Sequence, residues 1–356
     1  VRSALPDPRP AITTIIPTFR RPHLLRRAIE SVLAQNYREV AVRVYDNASG
    51  DETAGVVAAI AAADPRVSYI GRARNVGAAE NFILASADVS TPLCSFLSDD
   101  DYLLPGFFEL AVAALSEHPD AGLFAGSTLE VDESGYVRYA PLAFWPREGV
   151  YEPADAVLQM LDNRHPTWTG VIFRTSALRA AGGLDRGASA ALDFDAELRV
   201  AIRFPIVVSF APCAAYVSHA ASVSAGESAA LIPSYEHISA TLAAAETLPA
   251  GVRRAAVARF ARQLRLKLVE IGVKAQMRGD AQAARGAATL LRDTYGSGLL
   301  GAALGALNWT CARVPAARPA LRWLEGRRIA TRARRARRFA RRSIIGSIRS
   351  PDAPSF

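Results

Sequence analysis

The sequence predicts an α/β fold: a mostly parallel sheet flanked by helices, followed by a helical C-terminal region. Three observations carry this. Short β-branched runs alternate with segments of helical period through the first two-thirds of the 356 residues. Polar clusters stand directly after several of those runs, where open parallel sheets collect ligands. From about Pro233 the strand signal stops while helical periodicity continues.

In chain order, Ala11 to Ile16 is a buried strand that Pro17 is expected to end. Leu24 to Gln35 has helical spacing, and Val40 to Tyr45 is a second strand running into the turn Asp46-Asn47-Ala48-Ser49-Gly50. Helices at 53–63 and 78–86 bracket a third strand, Val67 to Ile70. Leu93 to Leu97 is a fourth strand and delivers the chain into Ser98-Asp99-Asp100-Asp101. A helix at 105–117 and a strand beginning at Ala121 follow, then antiparallel strands and loops over 126–153. Further helices are expected at 155–161, 175–181 and 193–202, with strands at 170–173, 206–210 and 214–217. Val257, Phe260, Leu264, Leu268 and Ile271 share one helical face, 281–291 is a further helix, and Gly296 to Gly305 is expected to break the pattern. The organisation is therefore an α/β domain over 1–230, a helical region over 231–320 and a basic tail over 321–356, with no internal repeat.

Half the residues are hydrophobic and charge content is ordinary, which suits a soluble globular protein with a substantial core. No apolar run is long enough for a membrane span, and Val1 to Pro10 has no secretion-signal pattern. Cys94, Cys213 and Cys311 have neither zinc nor disulfide spacing, so a reducing, cytoplasmic setting is expected. The net charge of +8 is uneven. From Arg322 to Arg349 eleven arginines meet one acid, Glu325, and the rest of the chain sums to −2.

Three adjacent carboxylates after a buried strand repel one another, and a divalent cation offsets that. Oxygen ligands with open positions suit Mg²⁺ or Mn²⁺ bridging a diphosphate; a solvated acidic turn is the rival reading. Asp46 reads either as a turn or cap residue, with Ser49, Asp51 and Thr53 following, or as an acceptor for a base or ribose. Arg74 is either a surface charge or a partner of donor oxygens.

Pro17-Thr18-Phe19 after a strand, Asp46 to Asp51, Arg74-Asn75-Val76-Gly77 with Asn81, and the Asp cluster stand in an order that resembles family 2 glycosyltransferases, over about residues 11 to 225. The resemblance implies the Rossmann-like GT-A fold and an inverting, metal-dependent transfer from a UDP- or dTDP-sugar to an acceptor hydroxyl. It implies that Pro17, Thr18, Phe19, Arg20, Asp46, Asn47, Arg74, Asn75, Asn81 and Asp99 bind the donor. Ser98 replaces the first acid of the family's Asp-x-Asp pattern, which moves the metal onto Asp100 and leaves Asp101 for the ligand shell or the sugar. Leu192-Asp193-Phe194-Asp195 resembles the family's Glu-Asp segment with Leu in place of Glu. Asp193 is then the base that takes the acceptor proton, helix capping being the rival reading, while Asp195 and Arg199 form an i,i+4 pair. Tyr216-Val217-Ser218-His219 resembles the closing strand, with His219 as a metal ligand. Trp168 and Thr169 are assigned to the sugar or acceptor pocket, with Trp168 either a stacking floor or core; Trp145 carries less support.

The Arg-rich tail interleaves Trp323, Leu324, Ile329 and Phe339 and reads as a membrane-surface segment, against an RNA-binding arm or a solvated end. A peripheral place on the inner membrane face, and a lipid-linked, glycan or small-molecule acceptor, follow as expectations; nucleic acid is not expected. A sugar nucleotidyltransferase would want a Gly-rich loop after the first strand, which Pro17 to Pro22 lacks. Asp100 and Asp193 argue against a silent carbohydrate- or lipid-binding protein.

Overall fold

The computed structural model describes residues 9–162, 165–218, 231–314 and 317–343. Four parallel strands open the chain: β1 (Ile12–Thr18), β2 (Val40–Asp46), β3 (Val67–Gly71) and β4 (Leu93–Phe96). They are joined by α1 (Pro22–Leu33), α2 (Thr53–Ala63) and α3 (Ala78–Ala87). Helix α1 starts with proline in its first turn and buries Leu25, Ala28, Ile29 and Val32, a stripe at helical spacing. All seven residues of β1 are buried, and Pro17 does not end it. Pairing with β4 stops at Ile15 opposite Phe96, while Thr18 still accepts from the Asn47 N–H on the β2 side. Strand alternation turns Pro17 toward the β4 side beyond that ladder, where its missing N–H leaves nothing unpaired.

The remaining strands are β5 (Tyr102–Leu103), β6 (Leu123–Asp132), β7 (Val137–Tyr139), β8 (Gly149–Tyr151), β9 (Val171–Arg174) and β10 (Ile206–Ser218). The sheet order is β3-β2-β1-β4-β9-β6-β10-β5, with β7 on β6 and β8 on β10. The sheet is mixed: β9 runs antiparallel to both β4 and β6, while β6 and β10 are parallel to each other. The two strands expected at 206–210 and 214–217 are one strand whose register shifts on either side of Pro212, where a bulge accommodates the missing donor. Helices α1, α2 and α4 (Phe107–Glu117) cover one face through Leu25, Val57 and Phe107. Helices α3, α5 (Pro153–Asp162), α6 (Thr175–Ala180) and α7 (Leu192–Arg203) cover the other through Ile83, Val157, Leu178 and Leu198.

After α8 (Leu231–Ala243), the long α9 (Ala250–Arg278) buries Phe260, Leu264, Leu268 and Ile271 as their spacing predicts. Phe260 joins the main core beside Phe194, ring centroids 6.0 Å apart. Helix α10 (Ala281–Thr289) leads through a π turn into α11 (Gly298–Arg313). The break expected over 296–305 is therefore confined to the turn before Gly298. A Cβ on Gly301 would lie 2.9 Å from the Ala288 carbonyl oxygen, so this glycine serves close approach to the preceding helix. Helix α12 (Ala317–Ser343) docks through buried Ala333 and Ala336, and Phe339 meets Phe210 edge-on at 5.2 Å. Trp323, Leu324 and Ile329 remain exposed on it. No helix among the described residues is long and apolar enough to cross a membrane.

Candidate active site at the strand ends

Chain order reverses at β1, which lies between β2 and β4, and the crevice outside such a reversal is where open sheets bind ligands. A cavity of about 1550 Å³ opens there. Pro17, Thr18 and Phe19 line it from the end of β1, Asn47 from β2, and Ser98, Asp99 and Asp100 from β4. The turn after β2 holds Ala48 at φ 63° and Gly50 at φ 66°. For alanine this left-handed conformation is strained. Within the turn the Asp46 carboxylate accepts from the Ser49 N–H and hydroxyl and, at 2.6 Å, from the Tyr69 hydroxyl. Asn47 donates to Asn75 at 2.9 Å and accepts from the Val76 N–H at 2.8 Å, tying the β2 turn to the loop before α3. Asn81 is buried on the cavity wall, donating to the Tyr45 carbonyl and accepting from Arg72.

The three acids diverge. Asp99 accepts from the Thr18 hydroxyl at 2.7 Å, and Arg21 Nη1 reaches both Asp99 (3.2 Å) and Asp100 (2.7 Å). Burial raises the Asp99 carboxyl to about 6, helped by the Asp100 charge and opposed by Thr18 and Arg21. Asp101 is fully buried and does not line the cavity. Its carboxylate accepts from the Val217 N–H and the Thr169 hydroxyl, both at 2.9 Å, so it ties β10 and the Trp168–Gly170 turn to the end of β4. Asp101 and Thr169, expected in the sugar or acceptor pocket, stand beneath the cavity wall and bond each other. Thr169→Val is expected to lower stability by about 1–3 kcal/mol, the cost of leaving a buried acceptor short of a donor, measured by urea unfolding.

Asp193 stands in the first turn of α7 and lines the same cavity. It is not the helix cap, since the N-cap position is Ala191, and its carboxylate accepts no hydrogen bond from the described residues. One turn on, Glu197 is fully buried and meets His165 Nδ1 at 3.0 Å; the same nitrogen lies 2.7 Å from the Pro166 carbonyl. Two acceptors on Nδ1 place the proton there and leave Nε2 as the imidazole's other nitrogen. The ring stacks on Phe194 at 4.8 Å and lines the cavity with Asp193. Burial raises the Glu197 carboxyl. Burial opposes the imidazolium, but the Glu197 hydrogen bond and the Asp193 charge outweigh it and raise His165. Both shifts keep a proton on the pair through neutral pH. His165→Ala is expected to cost about 3 kcal/mol by orphaning a buried carboxylate, with Glu197→Gln costing clearly less in the same urea titration. Asp195 is buried and pairs with Arg199, Nε to Oδ2 at 2.8 Å, the expected i,i+4 contact.

The other assignments fall as follows. Trp168 is a core residue, stacked on Phe96 at 5.2 Å, whose edge lines the cavity. Trp145 is core, edge-on to Tyr151. Arg74 is exposed and off the cavity wall, and the arginine that packs inward is Arg72, over the Tyr45 ring at 5.2 Å. The structure thus places Arg74, expected at the donor, outside the cavity lining. Arg20 turns away at φ 56° and donates to Ser49, bracing the β2 turn rather than lining the cavity. His219 lies outside the described residues. Arg21, His165 and Glu197 were not singled out from sequence, although Glu197 stands four residues after Asp193, one turn along the same helix.

Among the described residues no group of three or more His, Cys, Asp or Glu is preformed around a metal. The donor set nevertheless suits Mg²⁺ or Mn²⁺. Asp99 and Asp100 converge on one cationic nitrogen, Arg21 Nη1, at the cavity wall, and a hard divalent ion takes carboxylate oxygens while leaving positions for diphosphate.

This mixed sheet, with its cavity at the strand-order reversal, has the GT-A fold. Residues 13–182 match the family described as Glycosyl transferase family 2. Over 98 residues it is 34% identical to the GalNAc(5)-diNAcBac-PP-undecaprenol beta-1,3-glucosyltransferase of Campylobacter jejuni, covering 27% of this chain and 32% of that protein. An uncharacterized protein of Mycobacterium tuberculosis is 25% identical over 204 residues, covering 55% of this chain and 63% of that one. The chain thus spans about a third and somewhat under two-thirds of these relatives' lengths. The fold matches S. aureus TarS (residues 1–349) in complex with UDP-GlcNAc, with TM-score 0.63 and 15% identity over 85% of this chain and 91% of that one. It also matches the mannosyltransferase PcManGT of Pyrobaculum calidifontis in complex with GDP-Man and Mn²⁺, with TM-score 0.50 and 19% identity over 94% and 87%.

Proposed function

We propose that this enzyme moves a sugar from a nucleoside-diphosphate donor, UDP- or dTDP-linked, to an acceptor hydroxyl with inversion at the anomeric carbon. The observation that carries the reading is one carboxylate, Asp193, free of hydrogen bonds from the described residues and lining the same cavity as Asp99 and Asp100. A single base on the acceptor side suits direct displacement, the acceptor proton passing to Asp193 as the new bond forms. Pro17, Thr18, Phe19, Asn47, Asn75 and Asn81 hold the nucleotide, with Asp46 reached beneath the β2 turn. Asp100, with Asp99, would hold Mg²⁺ or Mn²⁺, which neutralises charge on the departing diphosphate. Trp168 offers an apolar edge to the sugar. We assign catalysis to residues 1–230. The helical region 231–320 walls the cavity, and the arginines of 321–356 favour an anionic membrane surface on the cytoplasmic side.

The test is release of nucleoside diphosphate from a panel of UDP-, dTDP- and GDP-sugars with Mn²⁺. Turnover with a UDP- or dTDP-sugar is expected. Failure with every donor, across glycan, lipid-linked and small-molecule acceptors, would remove the reading.

A further inference from the structure

Helix α11 is apolar on all sides. One side buries Gly301, Leu304, Asn308 and Cys311 where it packs on α9 and α10. The opposite side exposes Leu299, Leu300, Ala302, Ala303, Ala306 and Trp309, and Arg313 in the last turn is the only charge on the helix. Leu299 is 90% exposed and Trp309 60%. The neighbouring α10 shows the ordinary pattern, its exposed residues being Gln282, Arg285, Gly286 and Thr289. A helix that is apolar all round is normally covered all round, and a contiguous exposed apolar patch marks a protein or membrane contact.

Charge decides between the two. The Arg313 guanidinium lies over the Trp309 ring, 4.3 Å from its centroid. On α12, which touches α11, Arg327 lies over the exposed Trp323 at 4.9 Å, with Leu324 and Ile329 exposed on the same helix. Neither arginine is in a salt bridge among the described residues. The nearby acids are taken: Asp293 pairs with Arg292 at 2.7 Å and Glu325 with Arg328 at 3.4 Å. From Gly298 to Ser343 twelve arginines stand against Glu325 alone. Some are spent on the body, as where Arg335 covers Phe144 and Arg337 covers Tyr136, but Arg313 and Arg327 point their charge at the apolar surface. A second copy of the chain would bring arginine against arginine, whereas lipid headgroups bring phosphate. An indole under a guanidinium suits the boundary between hydrocarbon and water, with the ring on the apolar side and the charge at the phosphates. The sixteen residues of α11 span about 24 Å, short of the ~30 Å hydrocarbon core, so the helix can lie along a bilayer but not cross it.

We propose that the outer side of α11 is a lipid-docking surface, on which Leu299, Leu300 and Trp309 enter the headgroup boundary of an anionic bilayer while Arg313 holds lipid phosphate. This goes beyond the reading of the basic tail, in which arginines alone attract the membrane. Salt separates the two. Screening weakens attraction between exposed charges, whereas apolar side chains buried in lipid stay buried in salt.

Sedimentation of the full chain with phosphatidylcholine vesicles, with and without phosphatidylglycerol, at low and high salt, tests it. Binding to the phosphatidylglycerol vesicles that persists in high salt is expected. Leu299→Ser with Trp309→Ser should weaken that binding on the order of tenfold or more, through lost burial of apolar area. Both side chains are exposed, so the fold and the release of nucleoside diphosphate should be unchanged. Trp323→Phe leaves Trp309 as the exposed indole, since Trp145 and Trp168 are buried. Lipid brominated in its acyl chains should then quench its fluorescence, a signal that a folding lesion would not produce. Parent binding that salt abolishes and the double substitution leaves unchanged would overturn the proposal and leave the tail reading standing. No binding to either vesicle would overturn both. Absence of bromolipid quenching would also overturn it, and self-association of the parent that the double substitution removes would then give the surface to a second copy.

Discussion

Asp193→Asn is expected to lower kcat on the order of 10²–10⁴-fold, the usual contribution of a positioned general base, while donor affinity stays near that of the parent. The substitution keeps the side-chain volume and the helix. Asp193 neither caps α7 nor accepts a hydrogen bond from the described residues, and its charge reaches the buried His165–Glu197 pair only through space. The stability change should then fall within about 0.5 kcal/mol, as for partly exposed positions away from special features, and lost turnover reports on chemistry. His165 sharpens the readout. It lines the same cavity and its imidazole feels the Asp193 charge, so the asparagine variant should also lower the His165 pKa. Initial rates, donor calorimetry and an imidazole NMR titration measure the three quantities. A kcat within a few-fold of the parent would remove Asp193 from the mechanism.

Asp100→Asn is expected to abolish activation by Mn²⁺ and to cost on the order of 10²–10³-fold in kcat, the scale of losing charge stabilisation on a departing group. EDTA should bring the parent enzyme to the same residual rate. The fold should survive, because Asp99 keeps both its Thr18 and Arg21 contacts when Asp100 changes. A parent enzyme indifferent to EDTA would sink the metal assignment. The same substitution at Asp101 should behave differently, lowering the unfolding midpoint, since that carboxylate is fully buried between Val217 and Thr169.

The first half of the sheet was legible because each parallel strand is a short buried run and each helix carries its own stripe, as β1 and α1 do. Periodicity is a local signal. What escaped it depends on partners distant in sequence. Pro17 stays in the strand because β4 stops short beside it, and Pro212 is absorbed by a bulge against β6. The placement of β9 between β4 and β6 makes the sheet mixed, and nothing in Val171 to Arg174 announces its direction. The site divides the same way. The strand-end residues 17–19, 47 and 98–100 could be placed on the cavity from the elements that precede them. Which acid faces the cavity and which faces inward could not, since Asp100 and Asp101 differ only in what lies across from them. Arg74 and Arg72 differ likewise, being two residues apart on a loop whose direction is set by Asn47 and Asn81.

The single guanidinium across Asp99 and Asp100 has a thermodynamic consequence. An empty pocket of two carboxylates would bind a free divalent ion avidly; one already bridged by Arg21 gains little by exchanging one cation for another. The gain arrives when a diphosphate adds its own negative oxygens, giving Arg21 and the ion separate anions to hold. Affinity for the ion and affinity for the nucleotide are then coupled, and reciprocity makes each raise the other by the same factor. On the proposed metal role, Mn²⁺ and the nucleoside diphosphate should each bind more tightly in the presence of the other, which calorimetry with each alone and both together measures.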